Sequence, residues 1–400
     1  MESGRTRCGV DTVEIARIER LLRQTPAHDL AKLFSAAELC DSGDGAGRAA
    51  ALAARFAAKE ACLKLFPREA ALGTIGPSDF HVVRNGYGAP ELAYSATAAA
   101  LLARHRLAAI ALSLTHDKTS AAAVAVAEPM RTEVPLLGKL TYHALPFRRR
   151  VMRDNLRRVF GQELPEGELT QLAQAHCAHL VRFVAEFVGF ACLSAAQRAA
   201  RVRVENKEAC LRAQAQGRGV LLLTGHFGNW EIATVGGIAN FPEYRGRFHI
   251  LRRPLWPRAL DALVTRRFRQ AGLGVLPKKG ALEAILDRLG AGDAVAFVMD
   301  QHAGGRDGVA VDFFGHRAWT FRSLAVIALS TGAPVVPVAS WREADGRHVL
   351  RFEEALPPVQ CSDPKQAIYD STRAYNAALE RLVLRHPEQW FWVHRRWKAR

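Results

Sequence analysis

Val220-Leu221-Leu222-Leu223-Thr224-Gly225-His226-Phe227-Gly228-Asn229-Trp230-Glu231 decides the fold of the larger part of this chain. Four aliphatic residues in a row make a strand buried on both faces. Gly225 and Gly228 let the backbone turn sharply behind it. A helical pattern then resumes over 230–238. Working downstream, strands over 248–251, 294–298 and 335–340 alternate with helices over 260–271, 282–289 and 323–330. That alternation predicts a three-layer α/β domain. Working upstream, 136–160 reads as a basic helical stretch containing Arg148, Arg149 and Arg150, and two more helices extend to about 216.

The turn carries chemistry. His226 is delivered at a strand end, and Glu231 follows five residues on at the start of the next helix. Such a turn can bring the carboxylate to one imidazole nitrogen and leave the other free to take a proton from an incoming hydroxyl. The acceptor alcohol is then the nucleophile, His226 the base and Glu231 the group that orients it.

The first 128 residues read differently. Val10, Val13, Ile18, Leu21 and Leu22 recur at helical spacing, so a helix is expected to start close to Asp11, placing that aspartate at a strand-to-helix junction. Residues 49–66 read as one Ala-rich helix stopped by Pro67. Asn85-Gly86-Tyr87-Gly88 is a turn between strands over 80–83 and 90–94. A helix over 96–105 and a hairpin over 108–127 complete an α+β pattern with an antiparallel sheet. Residues 129–135 are the natural linker, which gives domains over 1–128 and 136–400.

Glu60 and Lys64 are four apart on one helix face. One carboxylate from each of two elements, Asp11 and Glu60, holds a hard cation while leaving positions for water and a pyrophosphate, the usual binding mode of Mg²⁺. Lys59, Lys64 and Arg55 are candidates to neutralise phosphate oxygens.

The chain carries a formal net charge of +16. Residues 1–128 hold 15 Lys+Arg and 14 Asp+Glu, so the excess belongs to the second part. A basic surface implies an anionic partner. Nucleic acid is the weaker choice, since the sequence shows no zinc-finger spacing, no recognisable RNA-binding motif and no long Lys/Arg block with interleaved aromatics. An anionic membrane surface fits better. Seven cysteines with no Cys-x-x-Cys spacing point to a reduced, cytoplasmic compartment. No segment reads as a signal peptide or a membrane span. The closest, 178–193, is broken by Arg182 and Glu186, four apart and able to pair. It is either an amphipathic core helix or an interfacial one. Trp390, Trp392 and Trp397 are either interfacial anchors or packing residues.

Two resemblances add to this reading. Gly9-Val10-Asp11 leading into Glu14-Ile15-Ala16-Arg17, then Arg55-Phe56-Ala57-Ala58-Lys59-Glu60, then Asn85, Gly88 and Pro90, then Ser113 to Asp117, resemble the holo-acyl-carrier-protein synthase family in its own order. The resemblance implies transfer of 4′-phosphopantetheine from coenzyme A to a serine of acyl carrier protein. Asp11 and Glu60 would be Mg²⁺ ligands, with Lys64 near the phosphates, His116 near the nucleotide and Arg17 on the face that meets the carrier. It also implies a homotrimer. His226 to Glu231, then Arg253-Pro254, Asp300-Gln301, Gly308-Val309, Phe313-Phe314-Gly315, 331–337 and 386–398 resemble the lipid A late acyltransferases. There His226 and Glu231 would be the catalytic dyad, Arg253 would contact a phosphate of donor or acceptor, and Asp300 and Gln301 would shape the pocket.

Together these imply a bifunctional enzyme on the inner face of the cell membrane, whose halves share acyl carrier protein and whose second half acylates a lipid hydroxyl. Two alternatives stay open: a glycerolipid or polyene-type acceptor, and a first domain that only docks the carrier.

Overall fold

The computed structural model describes residues 6–398 except 87 and 131, so the Tyr87 of the expected turn and the Arg131 of the expected linker lie outside the described residues. The chain divides into two compact units. One runs to Thr132 and includes Gln162–Pro165; the other holds Glu133–Gly161 and everything from Glu166 onward.

The first unit runs β1 (Arg7–Glu14), α1 (Ile15–Gln24), α2 (Ala27–Leu30), α3 (Ala36–Asp41), α4 (Arg48–Leu63), α5 (Arg68–Ala71), β2 (Phe80–Arg84), β3 (Pro90–Tyr94), α6 (Ala96–Arg104), β4 (Leu107–His116) and β5 (Ser120–Pro129). An antiparallel sheet in the order β1-β5-β4 and a β2–β3 ladder form its strands. Asp11 lies inside β1, opposite Ala123, and the helix starts four residues later than expected. Strand alternation explains the difference: Val13 is buried while Val10 is 51% exposed, so the two do not share a helical face. The small side chains of α4, Ala53, Ala57, Ala58 and Ala61, are fully buried and let this helix pack closely on the sheet. Gly9 is required there, because a Cβ would collide with the Ala61 carbonyl. Ser35 and Glu38 form a capping box on α3.

The second unit runs α7 (Leu136–Ala144), α8 (Arg149–Phe160), α9 (Glu166–Gly189), α10 (Ala195–Ala200), β6 (Val202–Glu205), α11 (Lys207–Gln214), β7 (Val220–Thr224), α12 (Trp230–Gly237), β8 (Phe248–Arg252), α13 (Arg258–Gln270), β9 (Leu273–Pro277), α14 (Leu282–Gly290), β10 (Ala294–Val298), β11 (Gly308–Phe313), β12 (His316–Phe321), α15 (Ser323–Thr331), β13 (Val335–Arg342), β14 (His348–Phe352) and α16 (Pro364–Arg385). A seven-stranded sheet in the order β6-β14-β13-β7-β10-β8-β9 forms its centre. Strands β13, β7, β10, β8 and β9 are parallel, and β14 runs antiparallel to β13. Val220 to Leu223 are all fully buried, so both faces of β7 are covered.

The basic stretch over 136–160 is two helices, broken around Pro146 and the left-handed Arg148. In α9, Glu186 is bonded to Arg342 and to Asn229 (3.1 Å) instead of to Arg182. Leu172, Ala173 and His176 are buried, whereas Val184 and Val188 near its end are exposed. Among the described residues, no helix is long and apolar enough to cross a membrane.

Candidate active sites

The acyl-transfer site lies beyond the carboxyl ends of two adjacent parallel strands, where open α/β sheets bind ligands. Thr224 ends β7 opposite Val298, the last residue of β10. His226 and Asp300 each follow two residues later and therefore meet. The His226 backbone N–H donates to Asp300 Oδ2 at 2.7 Å, and its Nδ1 lies 2.9 Å from Asp300 Oδ1. Trp390 Nε1 also donates to Asp300 Oδ2, at 2.9 Å. Burial would raise the Asp300 carboxyl, but the His226 charge and these N–H donors outweigh it and hold the group at about 2. An ionised carboxylate only accepts, so Nδ1 is the ring nitrogen that donates to it, which leaves Nε2 to face the cavity. Nε2 lies 3.5 Å from Gln301 Nε2, and the ring lines a cavity of about 570 Å³. Phe183, Trp230, Phe248, Val264 and Phe268 are among its apolar walls.

The expectation that Glu231 orients His226 is not met, because Asp300 occupies that place. Trp230, the first residue of α12, stacks its ring edge-on to the imidazole at 4.8 Å, and one step round the helix Glu231 points elsewhere. Glu231 still lines the cavity. Burial raises its carboxyl to about 7, outweighing the opposing Arg267, 3.6 Å away, and the Arg252 charge. Arg253 is exposed at the cavity wall.

Residues distant in sequence hold this turn. Gly228 has φ +52, and a Cβ there would lie 2.7 Å from the Ser340 carbonyl oxygen. Its N–H donates to the Gln389 carbonyl at 3.0 Å, and Phe227 bridges to Trp390. Gln389 in turn exchanges side-chain bonds with the Arg342 backbone, at 2.8 and 2.9 Å. Trp390 and Trp392 are fully buried, so they are packing residues and not interfacial anchors. Trp397 is half-buried and donates to the Phe313 carbonyl. The matching carboxylate had one sequence signal, the polar pair Asp300-Gln301 straight after the apolar run 294–299; the clamp at Gln389, in a polar stretch, had none.

In the first unit, close packing of α4 on β1 brings Asp11, Glu60 and Lys64 together. Lys64 Nζ donates to Asp11 Oδ1 at 2.8 Å and to the Val10 carbonyl at 2.7 Å. Burial raises the Glu60 carboxyl, and the nearby Asp11 charge raises it further, against Lys64 and Arg17. Two carboxylates that repel each other in a half-buried notch fit a divalent cation. No group of three or more His, Cys, Asp or Glu is arranged for a metal among the described residues. A two-carboxylate site of this kind suits Mg²⁺, which keeps waters and substrate oxygens as its other ligands.

Lys59 and Arg55 do not join this site. They lie on the other side of α4, because residue 59 is about 100° round the helix from residue 60. The Lys59 ammonium is wholly buried, 2.9 Å from Glu38 Oε2 and 2.5 Å from the Phe80 carbonyl. Glu38 also accepts the Val82 and Ser35 N–H groups. Arg55 is buried against Asp41 and the Ala51 carbonyl. Both cations already have structural partners. Arg17 is exposed, its guanidinium 5.6 Å from the Phe56 ring centre, and His116 is exposed at the end of β4.

The family model for bacterial lipid A biosynthesis acyltransferases matches residues 124–399, and that for the 4′-phosphopantetheinyl transferase superfamily matches residues 7–126. Lipid A biosynthesis lauroyltransferase of Escherichia coli strain K12 is 28% identical over 269 residues, covering 66% of this chain and 83% of the relative. Holo-[acyl-carrier-protein] synthase of Anaeromyxobacter dehalogenans is 43% identical over 129 residues, covering 30% of this chain and 93% of the relative. Phosphatidylinositol mannoside acyltransferase of Mycolicibacterium smegmatis is 29% identical over 199 residues, covering 49% of this chain and 64% of the relative. Fold, sites and relatives define a bifunctional transferase, a phosphopantetheinyl transferase joined to an O-acyltransferase. The chain belongs to the bacterial lipid A biosynthesis acyltransferase family and carries a domain of the 4′-phosphopantetheinyl transferase superfamily before it.

Proposed function

We propose that the first unit moves 4′-phosphopantetheine from coenzyme A to a serine of apo acyl carrier protein, and that the second moves an acyl chain from acyl carrier protein to a lipid hydroxyl of lipid A type. The observation that carries the second reading is the His226–Asp300 pair opening onto an apolar cavity. Nε2 takes the proton of the acceptor hydroxyl as its oxygen attacks the thioester carbonyl. The C–S bond then breaks, and the imidazolium returns the proton to the leaving thiolate. Asp300 holds the tautomer and stabilises the imidazolium. Glu231, Gln301 and Arg253 line the substrate space.

In the first unit, Asp11 and Glu60 would hold Mg²⁺, which when bound neutralises charge on the pyrophosphate oxygens of coenzyme A. Lys64 adds a cation beside them, with His116 on the nucleotide side and Arg17 toward the acidic carrier. The outer face of the sheet presents Val10, Ala111 and Val124, which supports self-association, as in a homotrimer.

Peripheral contact with the anionic inner face of the cell membrane is supported by the cavity mouth. Val184, Arg253 and Leu255 line it and are exposed; Trp256, next to Leu255, is 90% exposed, and Arg258, Leu263 and Arg266, also exposed, follow within ten residues. A second reading, a glycerolipid acceptor, is favoured by the likeness to the mycobacterial phosphatidylinositol mannoside enzyme.

The test uses the full chain with apo carrier protein, coenzyme A, Mg²⁺ and, separately, acyl carrier protein with extracted lipids. Wild type should add the pantetheine mass and acylate a lipid. Asp11→Ala should lose only the first activity and His226→Ala only the second. An Asp11→Ala protein that still pantetheinylates at the normal rate, or a His226→Ala protein that still acylates fully, overturns the corresponding half.

A further inference from the structure

The cavity in front of His226 does not end at Arg253. A second cavity of about 670 Å³ shares Leu251, Arg253, Lys278 and Val298 with it. Arg253, Lys278, Lys279 and Arg322 all line this second space, and Asp307 is the one acid among its lining residues. Among the described residues, none of the four cations is paired with a carboxylate. Lys278 Nζ stands 4.2 Å from the Phe321 ring centre. Burial and then the like charge of Arg253 pull its pKa below that of an ordinary lysine, against the opposing charge of Asp300. Four cations against one lining acid, over low-dielectric walls, concentrate positive potential. The deeper walls are Ile285, Phe297, Met299 and Ile327. The space is therefore built for an anion borne on an apolar or flexible arm. The first residues of α14 and α15, Leu282 and Ser323, also line it, adding the positive ends of two helix dipoles.

We infer that this second cavity is a phosphate subsite of the acyl-transfer reaction, holding a substrate phosphate while the reacting carbonyl lies at His226. The inference rests on the acyl-transfer reading above. Two sources offer the same chemistry: the phosphate of the donor's pantetheine arm and a phosphate on the lipid acceptor. Either places a flexible link between the anion at Lys278 and the carbonyl at Nε2, with Arg253 at the junction of the two spaces.

The experiment compares wild type with the Lys278→Gln/Arg322→Gln double variant and with Lys279→Gln, which alters only an exposed side chain. Donors are lauroyl-4′-phosphopantetheine and lauroyl-pantetheine. Acceptors are a phosphorylated lipid A precursor and its phosphatase-treated form. Removing two charge-assisted contacts should raise KM for the phosphate-bearing substrate by about ten-fold or more, with kcat at saturation changed by about two-fold or less. Lys279→Gln should move KM in the same direction by less. The substrate lacking that phosphate should be used alike by wild type and variants. Loss of sensitivity within the donor pair assigns the phosphate to the pantetheine arm, and loss within the acceptor pair assigns it to the lipid. Unchanged KM for all four substrates in an active double variant overturns the inference. A wild type that transfers no acyl group overturns instead the acyl-transfer reading on which it rests.

Discussion

Asp300→Asn separates the two carboxylates that share the His226 cavity. Asp300 accepts three N–H groups, from His226 Nδ1 at one oxygen and from the His226 backbone and Trp390 at the other. An asparagine side chain has one acceptor oxygen. If that oxygen stays with the two fixed donors, the amide NH₂ faces Nδ1 and forces the imidazole to carry its proton on Nε2. A protonated Nε2 cannot accept a proton from an alcohol. The charge itself also matters. Holding this carboxyl at about 2 instead of its ordinary 3.8 is worth on the order of 2–3 kcal/mol in favour of the ionised form facing His226. The His226 charge supplies only part of that figure beside the backbone and Trp390 donors, so losing the charge and imposing the wrong tautomer should together cost kcat about 10²-fold or more. Glu231→Gln leaves all three bonds intact and should cost about ten-fold or less. The assay is acyl transfer from acyl carrier protein to lipid at saturating substrate. A Glu231→Gln protein slower than Asp300→Asn, or an Asp300→Asn protein with wild-type kcat, refutes the pairing. The depressed Asp300 pKa also has a stability consequence. Its contribution is present above about pH 4 and is lost as pH falls toward 2, and Asp300→Asn should abolish that part of the acid transition.

Glu231→Gln has its own signature in stability. The folded-state pKa is raised to about 7, so the folded protein binds the extra proton and wild type loses stability as pH rises through about 5 to 7; the variant should gain unfolding free energy relative to wild type between pH 5 and pH 8 in denaturant titrations, by no more than about 3 kcal/mol, and an opposite sign refutes it. Lys59→Met leaves Glu38 buried without its cation and should destabilise the first unit by about 3–5 kcal/mol in denaturant titration, whereas Lys64→Ala should slow pantetheinylation with unfolding unchanged. Gly225→Ala places a Cβ 2.9 Å from Asp300 Oδ2 and should lower acyl transfer more than it lowers Tm. Trp256→Ala should weaken binding to anionic vesicles in a flotation assay, with acyl transfer to detergent-dispersed lipid kept.

What could be read along the sequence was local, and what could not was set by contacts across it. The run over 220–223 and the glycines after it were legible because a doubly buried strand leaves a continuous apolar signature. Most helices were legible from their 3.6-residue apolar periodicity, and the 120–127 strand from its run of small apolar residues. β1 was misplaced near Asp11 because a half-buried strand and a helix start share the same few apolar residues, and only pairing with β5 decides between them. β6, β9 and β14 left weak signals because each mixes polar, glycine or proline residues with its apolar ones, and β6 and β9 are edge strands.

The same division governs the sites. Glu60 and Lys64 are one helical turn apart, so their common face follows from α4 alone; that Lys59 turns to Glu38 depends on where α3 lies. At His226 the nearest acid in sequence, Glu231, loses to an acid 74 residues away, because parallel pairing of β7 with β10 sets Val298 beside Thr224 and so Asp300 beside His226. Spacing along the chain predicts a partner only when both residues belong to one element. Where a catalytic base stands at a strand end, its orienting group is better sought at the end of the neighbouring strand, a choice that strand order makes and local sequence does not.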